Sequence, residues 1–166
     1  MTQVEKTTLV QMILNIEYQK RTKFVLLLLL DVMRLPAFFF HEMLHYLLAF
    51  TMGIKIKIAD FHIMRVLKCG DSYNYSAYKM EIHYVCSSFS TICISIAPLI
   101  GWSTIMIVST IMGWWFILAY AVLFWNVFYL SGTDIDMMRL NGLNAKICSV
   151  LYFFYDMGMI KYKNYK

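Results

Sequence analysis

Apolar positions fall into two long runs, Phe24 to Thr51 and Val85 to Thr133, and the pattern changes period around them. Ahead of the first run, Leu9, Met12, Ile13 and Ile16 recur at i, i+3, i+4 and i+7, with Gln11, Asn15 and Gln19 between them. That stripe predicts an amphipathic helix. Lys20-Arg21-Thr22-Lys23 closes it, so residues 1–23 read as an amphipathic segment lying on a membrane surface. A plug, or a contact between copies in a homo-oligomer, is the sharper role open to it. As a helix, Phe24–Thr51 would measure about 42 Å at 1.5 Å per residue. That exceeds a hydrocarbon core of roughly 30 Å, and Pro36 is expected to kink or restart the helix. Gly53 stops it. Ile54-Lys55-Ile56-Lys57-Ile58 then alternates strictly, as does Tyr78-Lys79-Met80-Glu81-Ile82-His83-Tyr84, with the turn-like Cys69-Gly70-Asp71-Ser72-Tyr73-Asn74 between them. Residues 54–84 therefore read as a small antiparallel sheet at the membrane face. Its edge could hold an extended peptide by strand addition, or the segment is only a structured loop.

Between Val85 and Thr133 there is no Asp, Glu, Lys or Arg. Two further spans fit there, 85–110 and 113–133, joined by a tight turn near Ser109 to Gly113. Pro98 lies within the first, while Trp114, Trp115, Tyr120 and Trp125 mark the second, as residues of membrane interfaces do. Residues 147–160 are apolar but too short for an ordinary span. The stretch 134–166 reads as a C-terminal interfacial segment.

Composition turns these elements into a class. The chain has 166 residues, 60% hydrophobic and 15% charged, with a mean hydropathy of +0.59. That is membrane-protein composition, with length for one domain, 1–166, and no separate soluble module. The expected fold is an all-α membrane protein with three transmembrane helices (24–51, 85–110, 113–133), a small membrane-face sheet, and interfacial helices at both ends. The net charge of +5 reads as membrane topology and lipid headgroups. No basic-aromatic interleaving points to nucleic acid. Cys69, Cys86, Cys93 and Cys148 form no Cys-x-x-Cys pair and read as small buried residues. The first apolar run is too long for a signal-peptide core and lacks a small-residue cleavage site. Lys55, Lys57, Arg65, Lys68 and Lys79 lie on one side of a three-span topology with Arg139, Lys146, Lys161, Lys163 and Lys166, while the 109–113 turn carries no cation. That majority predicts a cell-membrane protein with the sheet and C-terminus in the cytoplasm, although Lys6, Lys20, Arg21 and Lys23 precede the first span.

The chemistry sits inside the first apolar run, at His41-Glu42-Met43-Leu44-His45. Residues four apart share a helix face, so His41 and His45 can aim two imidazoles at one metal ion. Glu42, beside the first ligand, stays free to act as a base toward a water. Ionisable groups at membrane depth are expensive and point to function; the bland alternative is a trio of polar side chains satisfied by buried partners. Asp31 and Arg34, at i and i+3, can pair with each other or line the same cavity. A catalytic zinc needs a third protein ligand. The candidates are His62, Glu81, His83, Asp134 and Asp136. The motif lies toward the cytoplasmic end of its span, and the third span ends at the same depth at Thr133-Asp134. Asp136 would point away on a helix, and His62 and His83 fall on the sheet.

The motif helix, continuing Tyr46-Leu47-Leu48-Ala49-Phe50-Thr51-Met52-Gly53, resembles the start of the site-2 protease family of intramembrane zinc metalloproteases. Asn126-Val127-Phe128-Tyr129-Leu130-Ser131-Gly132-Thr133-Asp134 has that family's spacing from an Asn to an Asp ligand eight residues later. The order of parts also matches over most of 37–140: motif helix, small sheet, Pro-containing span, Asp-bearing span. Ser131-Gly132 replaces the usual prolines, Ile135 replaces a Gly after the Asp, and no PDZ or CBS module is present. The chain thus looks like a minimal core, or a member of a related membrane zincin family, some of which carry a Ser-Gly-x-Asp ending. The resemblance implies Zn2+ on His41, His45 and Asp134, Glu42 as general base, and Asn126 bonding the substrate backbone or helping to stabilise the oxyanion. It implies a transmembrane or membrane-associated peptide as substrate, unwound before cleavage because helical carbonyls are already occupied. A zinc-binding membrane protein without catalysis, acting as an interaction or regulatory factor, is the rival, and a free Glu42 argues against it. A zincin acting on prenylated or other peptides would use the same chemistry. A di-iron oxidase needs more than the four His present. One haem cannot take His41 and His45 on opposite sides.

Overall fold

The computed structural model describes residues 4–6, 9–15, 18–69 and 72–158. In chain order they form β1 (Val4–Lys6), α1 (Leu9–Asn15), α2 (Tyr18–Thr51), β2 (Ile56–Cys69), β3 (Ser72–Tyr84), α3 (Ser88–Ile111), α4 (Trp115–Leu123), α5 (Trp125–Phe128), α6 (Gly132–Leu140) and α7 (Ala145–Gly158). They gather into two compact units, one drawn from 4–33 and 58–82, the other from 34–57 and 83–158.

The first unit holds a sheet of order β1-β2-β3. β1 runs antiparallel to β2, with Val4 opposite Cys69 and Lys6 opposite Leu67. Only two residues separate β2 from β3, and a link that short can join only antiparallel neighbours. Both strands extend further than their alternating stretches predicted. Cys69 and Ser72–Asn74 are strand rather than turn, and Gly70 and Asp71 lie outside the described residues. β1 was not foreseen, because three residues carry too little alternation to register. The apolar stripe of α1 is covered by the unit's own residues: Met12 is fully buried with Phe24, Val66, Tyr75 and Ala77. Phe24 meets Tyr75 edge-to-face at 5.3 Å between ring centroids. Ile16 of that stripe lies outside the described residues.

The second unit contains the latter part of α2 and all of α3 to α7. α2 runs unbroken through Pro36, so the proline does not restart the helix. Gly53 ends it as expected: at φ 70° it takes the left-handed conformation that closes a helix, and Ile54 N–H donates back to Ala49 O at 2.9 Å. Gly113, at φ 68°, closes α3 in the same way, with Trp114 N–H donating to Ser109 O at 2.9 Å. Three hydroxyls of α3 are satisfied by the helix itself. Ser103, Thr104 and Thr110 each donate to the carbonyl four residues back, at 2.8, 2.9 and 2.7 Å. Gly101 faces Leu44 of the motif helix. A Cβ there would fall on the Leu44 side chain, 3.1 Å from Cδ2 and 3.3 Å from Cγ.

Among the described residues, two helices are long and apolar enough to cross a membrane, Arg21–Thr51 and Ser88–Ile111. There are three if Trp115–Leu123 and Trp125–Leu140, which meet at 75°, count as one. The single helix expected over 113–133 is therefore corrected to a broken one. The cause is local. Ser131 has extended backbone angles, φ −75° and ψ 161°, and caps a new helix, α6. The chain must leave the helix at Tyr129 and Leu130 to reach that geometry, and both side chains are buried in the core against Ile135, Met138 and Cys148. The apolar C-terminal stretch forms α7, which packs on α6, and Tyr152 Oη donates to Gly132 O at 3.2 Å.

Candidate metal centre

His41 and His45 project from one face of α2, as their spacing required, and Asp134 meets them from the first turn of α6. The Nε2 atoms of the two histidines are 3.1 Å apart. His45 Nε2 is 3.2 Å from Asp134 Oδ1 and His41 Nε2 is 3.4 Å from Oδ2. Four bonds of about 2.05 Å around a tetrahedral ion set its ligand atoms about 3.3 Å apart. The observed separations match that edge. His41 is 5% and His45 7% exposed, and the Asp134 side chain 13%. Among the described residues, these three form the group of ligating side chains that could hold a metal ion.

Two of the three side chains are held by hydrogen bonds from the other side. His45 Nδ1 lies 2.7 Å from the carbonyl oxygen of Ile94. A carbonyl only accepts, so Nδ1 carries a proton, and in the neutral ring Nε2 then presents the lone pair, the arrangement metal-bound histidines commonly use. His41 Nδ1 is buried without a hydrogen-bond partner among the described residues. Asp134 is held by the capping box of α6. Its Oδ2 accepts from Ser131 N–H at 2.8 Å and from Ser131 Oγ at 2.7 Å, and its own N–H points back at Ser131 Oγ at 3.2 Å. Both Ser131 bonds fall on Oδ2, which also faces His41 Nε2, while Oδ1 faces His45 Nε2.

Glu42 is half-buried and within electrostatic reach of His41, His45 and Asp134. Asn126 is half-buried on α5 and, among the described residues, makes no hydrogen bond to the three ligating side chains or to Glu42. The remaining candidates lie elsewhere. Asp136 is exposed and lies beside the Tyr152 phenol. His62 meets Ser76 Oγ at 3.0 Å and Asp60 at 3.6 Å; burial, then the charge of Arg65, pushes its pKa below the ordinary value. Glu81 takes Lys79 at 2.8 Å, and His83 is exposed. Cys86, Cys93 and Cys148 are free thiols outside the group. Ser95 and Tyr84, which the sequence did not single out, lie close by. Ser95 Oγ is buried, and the Tyr84 phenol sits beside it and near Asp134, its pKa pushed up by burial.

Two further groups escaped the sequence reading. Ser131 carried a signal, since Ser-x-x-Asp is a capping-box spacing. The Ile94 carbonyl has as its sign only the proline four residues later. The Ser131 hydroxyl can be tested apart from its cap. Glycine is nearly as good an N-cap, so Ser131→Gly is expected to melt close to wild type while binding a divalent metal about tenfold more weakly, within the range typical of lost outer-shell partners. Ser131→Thr, which keeps the hydroxyl, is expected to bind as wild type. Competition with a chromophoric chelator reads both, and equal affinity in Ser131→Gly would show the hydroxyl to be a cap alone.

Comparison with protein-family models, curated proteins and solved structures finds no match to this chain.

Proposed function

We propose that the chain is an intramembrane zinc metallopeptidase that hydrolyses peptide bonds of a membrane-embedded or membrane-associated protein or peptide. One observation carries the reading: His41, His45 and Asp134 converge at tetrahedral-edge spacing on helices that include candidate membrane spans, with a free carboxylate, Glu42, alongside. Two imidazoles and one carboxylate are the donor set of a catalytic zinc that keeps a position open. Zinc held there would supply a Lewis acid for the scissile carbonyl and bring a water within reach of deprotonation near neutral pH.

The chain's own residues do the rest. Glu42 takes the proton from the attacking water and returns it to the leaving amine. His45, its Nδ1 proton committed to Ile94 O, stays in one tautomer throughout. Asp134, its Oδ2 tied to Ser131, stays in one rotamer. Asn126 has the role its spacing assigns, a donor to the substrate backbone or oxyanion. For three spans in the cell membrane, the distribution of Lys and Arg favours an orientation with the centre toward the cytoplasmic face.

The test is metal-dependent cleavage. The protein reconstituted in lipid vesicles is expected to cut transmembrane peptides, to stop on chelation, and to resume when zinc returns. Cleavage indifferent to chelation would overturn the reading.

A further inference from the structure

The 2.7 Å contact between His45 Nδ1 and Ile94 O needs an explanation from the helix that supplies the carbonyl. Ile94 lies inside α3, where a carbonyl ordinarily accepts from the N–H four residues on and has no reason to turn outward. Four residues on is Pro98, also inside α3 and buried. Proline has no N–H, and its ring crowds the carbonyl of residue i−4 and tilts it off the helix axis. Ile94 O is therefore an orphan acceptor at a fully buried position. In an apolar surrounding such an acceptor must find a donor, and the His45 ring provides it.

We infer that Pro98 is a positioning residue for the metal centre: by withholding an N–H it frees the Ile94 carbonyl, which holds the His45 ring with Nδ1 as the donor and Nε2 turned toward His41 and Asp134. The consequence for the metal rests on the metallopeptidase reading; the consequence for the tautomer does not. The helix thus gives up one of its own hydrogen bonds to a side chain on α2. A side-chain acceptor would do the same work, but a carboxylate would add charge, and an amide would add an N–H needing a partner of its own.

The experiment compares wild type, Pro98→Ala and a backbone-ester variant at position 98 that carries the alanine side chain but has no N–H. Alanine is the better helix former, so loss of fold is not the expected outcome. Nitrogen-15 NMR of the histidine rings in the metal-free protein reads the tautomer directly. At a pH where the ring is neutral, wild type is expected to hold the His45 proton on Nδ1. Pro98→Ala restores an N–H that competes for Ile94 O, and is expected to give a mixture of tautomers. The ester variant is expected to return to the wild-type pattern. Zinc affinity by chelator competition follows the same order, with Pro98→Ala weaker by roughly 10–100-fold, as for other lost outer-shell partners, and no less resistant to heat when metal-free. An unchanged His45 tautomer in Pro98→Ala would overturn the inference, as would an ester variant that behaves like Pro98→Ala. A wild type with a fixed tautomer and no zinc affinity would sink the metallopeptidase reading while leaving the role of Pro98 supported.

Discussion

Asp134→Ala is expected to lose bound metal, from about one zinc per chain to none after purification in detergent, with affinity falling by more than the roughly 10–100-fold that an outer-shell change costs. Two histidines on one helix face remain, but two ligands do not make a stable site for a metal that ordinarily takes three from the protein. The alanine also breaks the capping box, leaving Ser131 N–H and Oγ without the carboxylate they share, at a cost of about 1 kcal/mol in the stability of α6. Asp134→Asn separates the two effects. It keeps the shape and an acceptor for Ser131, but replaces an anionic ligand by a neutral amide. Metal lost in both variants would mark the carboxylate as a ligand; metal kept in Asp134→Asn would mark it as a cap. Metal analysis beside a thermal melt decides. If both variants keep zinc, the ion sits elsewhere and the convergence of the three side chains has another cause.

Glu42→Gln should leave zinc content unchanged and reduce peptide cleavage by about 10²–10⁴-fold, the usual worth of a positioned general base. The amide is nearly the same size as the carboxylate and makes no new demand on the half-buried position. It cannot accept a proton from water. The pairing of unchanged metal with lost turnover is what separates a base from a ligand, since removing a ligand moves both. A Glu42→Gln protein that still cuts would send the search for the base to other groups around the centre, Tyr84 among them. A Glu42→Gln protein without zinc would mean that the carboxylate helps to hold the ion.

Some of this could be read along the chain. The four-residue interval between His41 and His45 puts both rings on one side of any helix, so the helix alone brings them together. The absence of charge from Val85 to Thr133 marks membrane-grade segments whatever their packing. Gly53 and Gly113 mark helix ends, because only glycine takes their positive φ without strain. The alternating residues of 54–58 and 78–84 mark strands, because side chains alternate about an extended backbone.

What only the tertiary structure decided is everything that joins distant parts of the chain. Asp134 lies far from His45 in sequence, and its rivals His62, His83 and Asp136 carried equally suitable chemistry. The packing of α6 and α2 within one unit brings Asp134 to the histidines and leaves the others outside. The break after α5 that aims Asp134 was hidden, since one apolar run looks alike whether it is one helix or two; the cap at Ser131 and the burial of Tyr129 and Leu130 settle it. The partner of His45 was hidden for a deeper reason. It is a backbone carbonyl, which every residue has, and only the missing N–H of Pro98 makes that of Ile94 different from its neighbours.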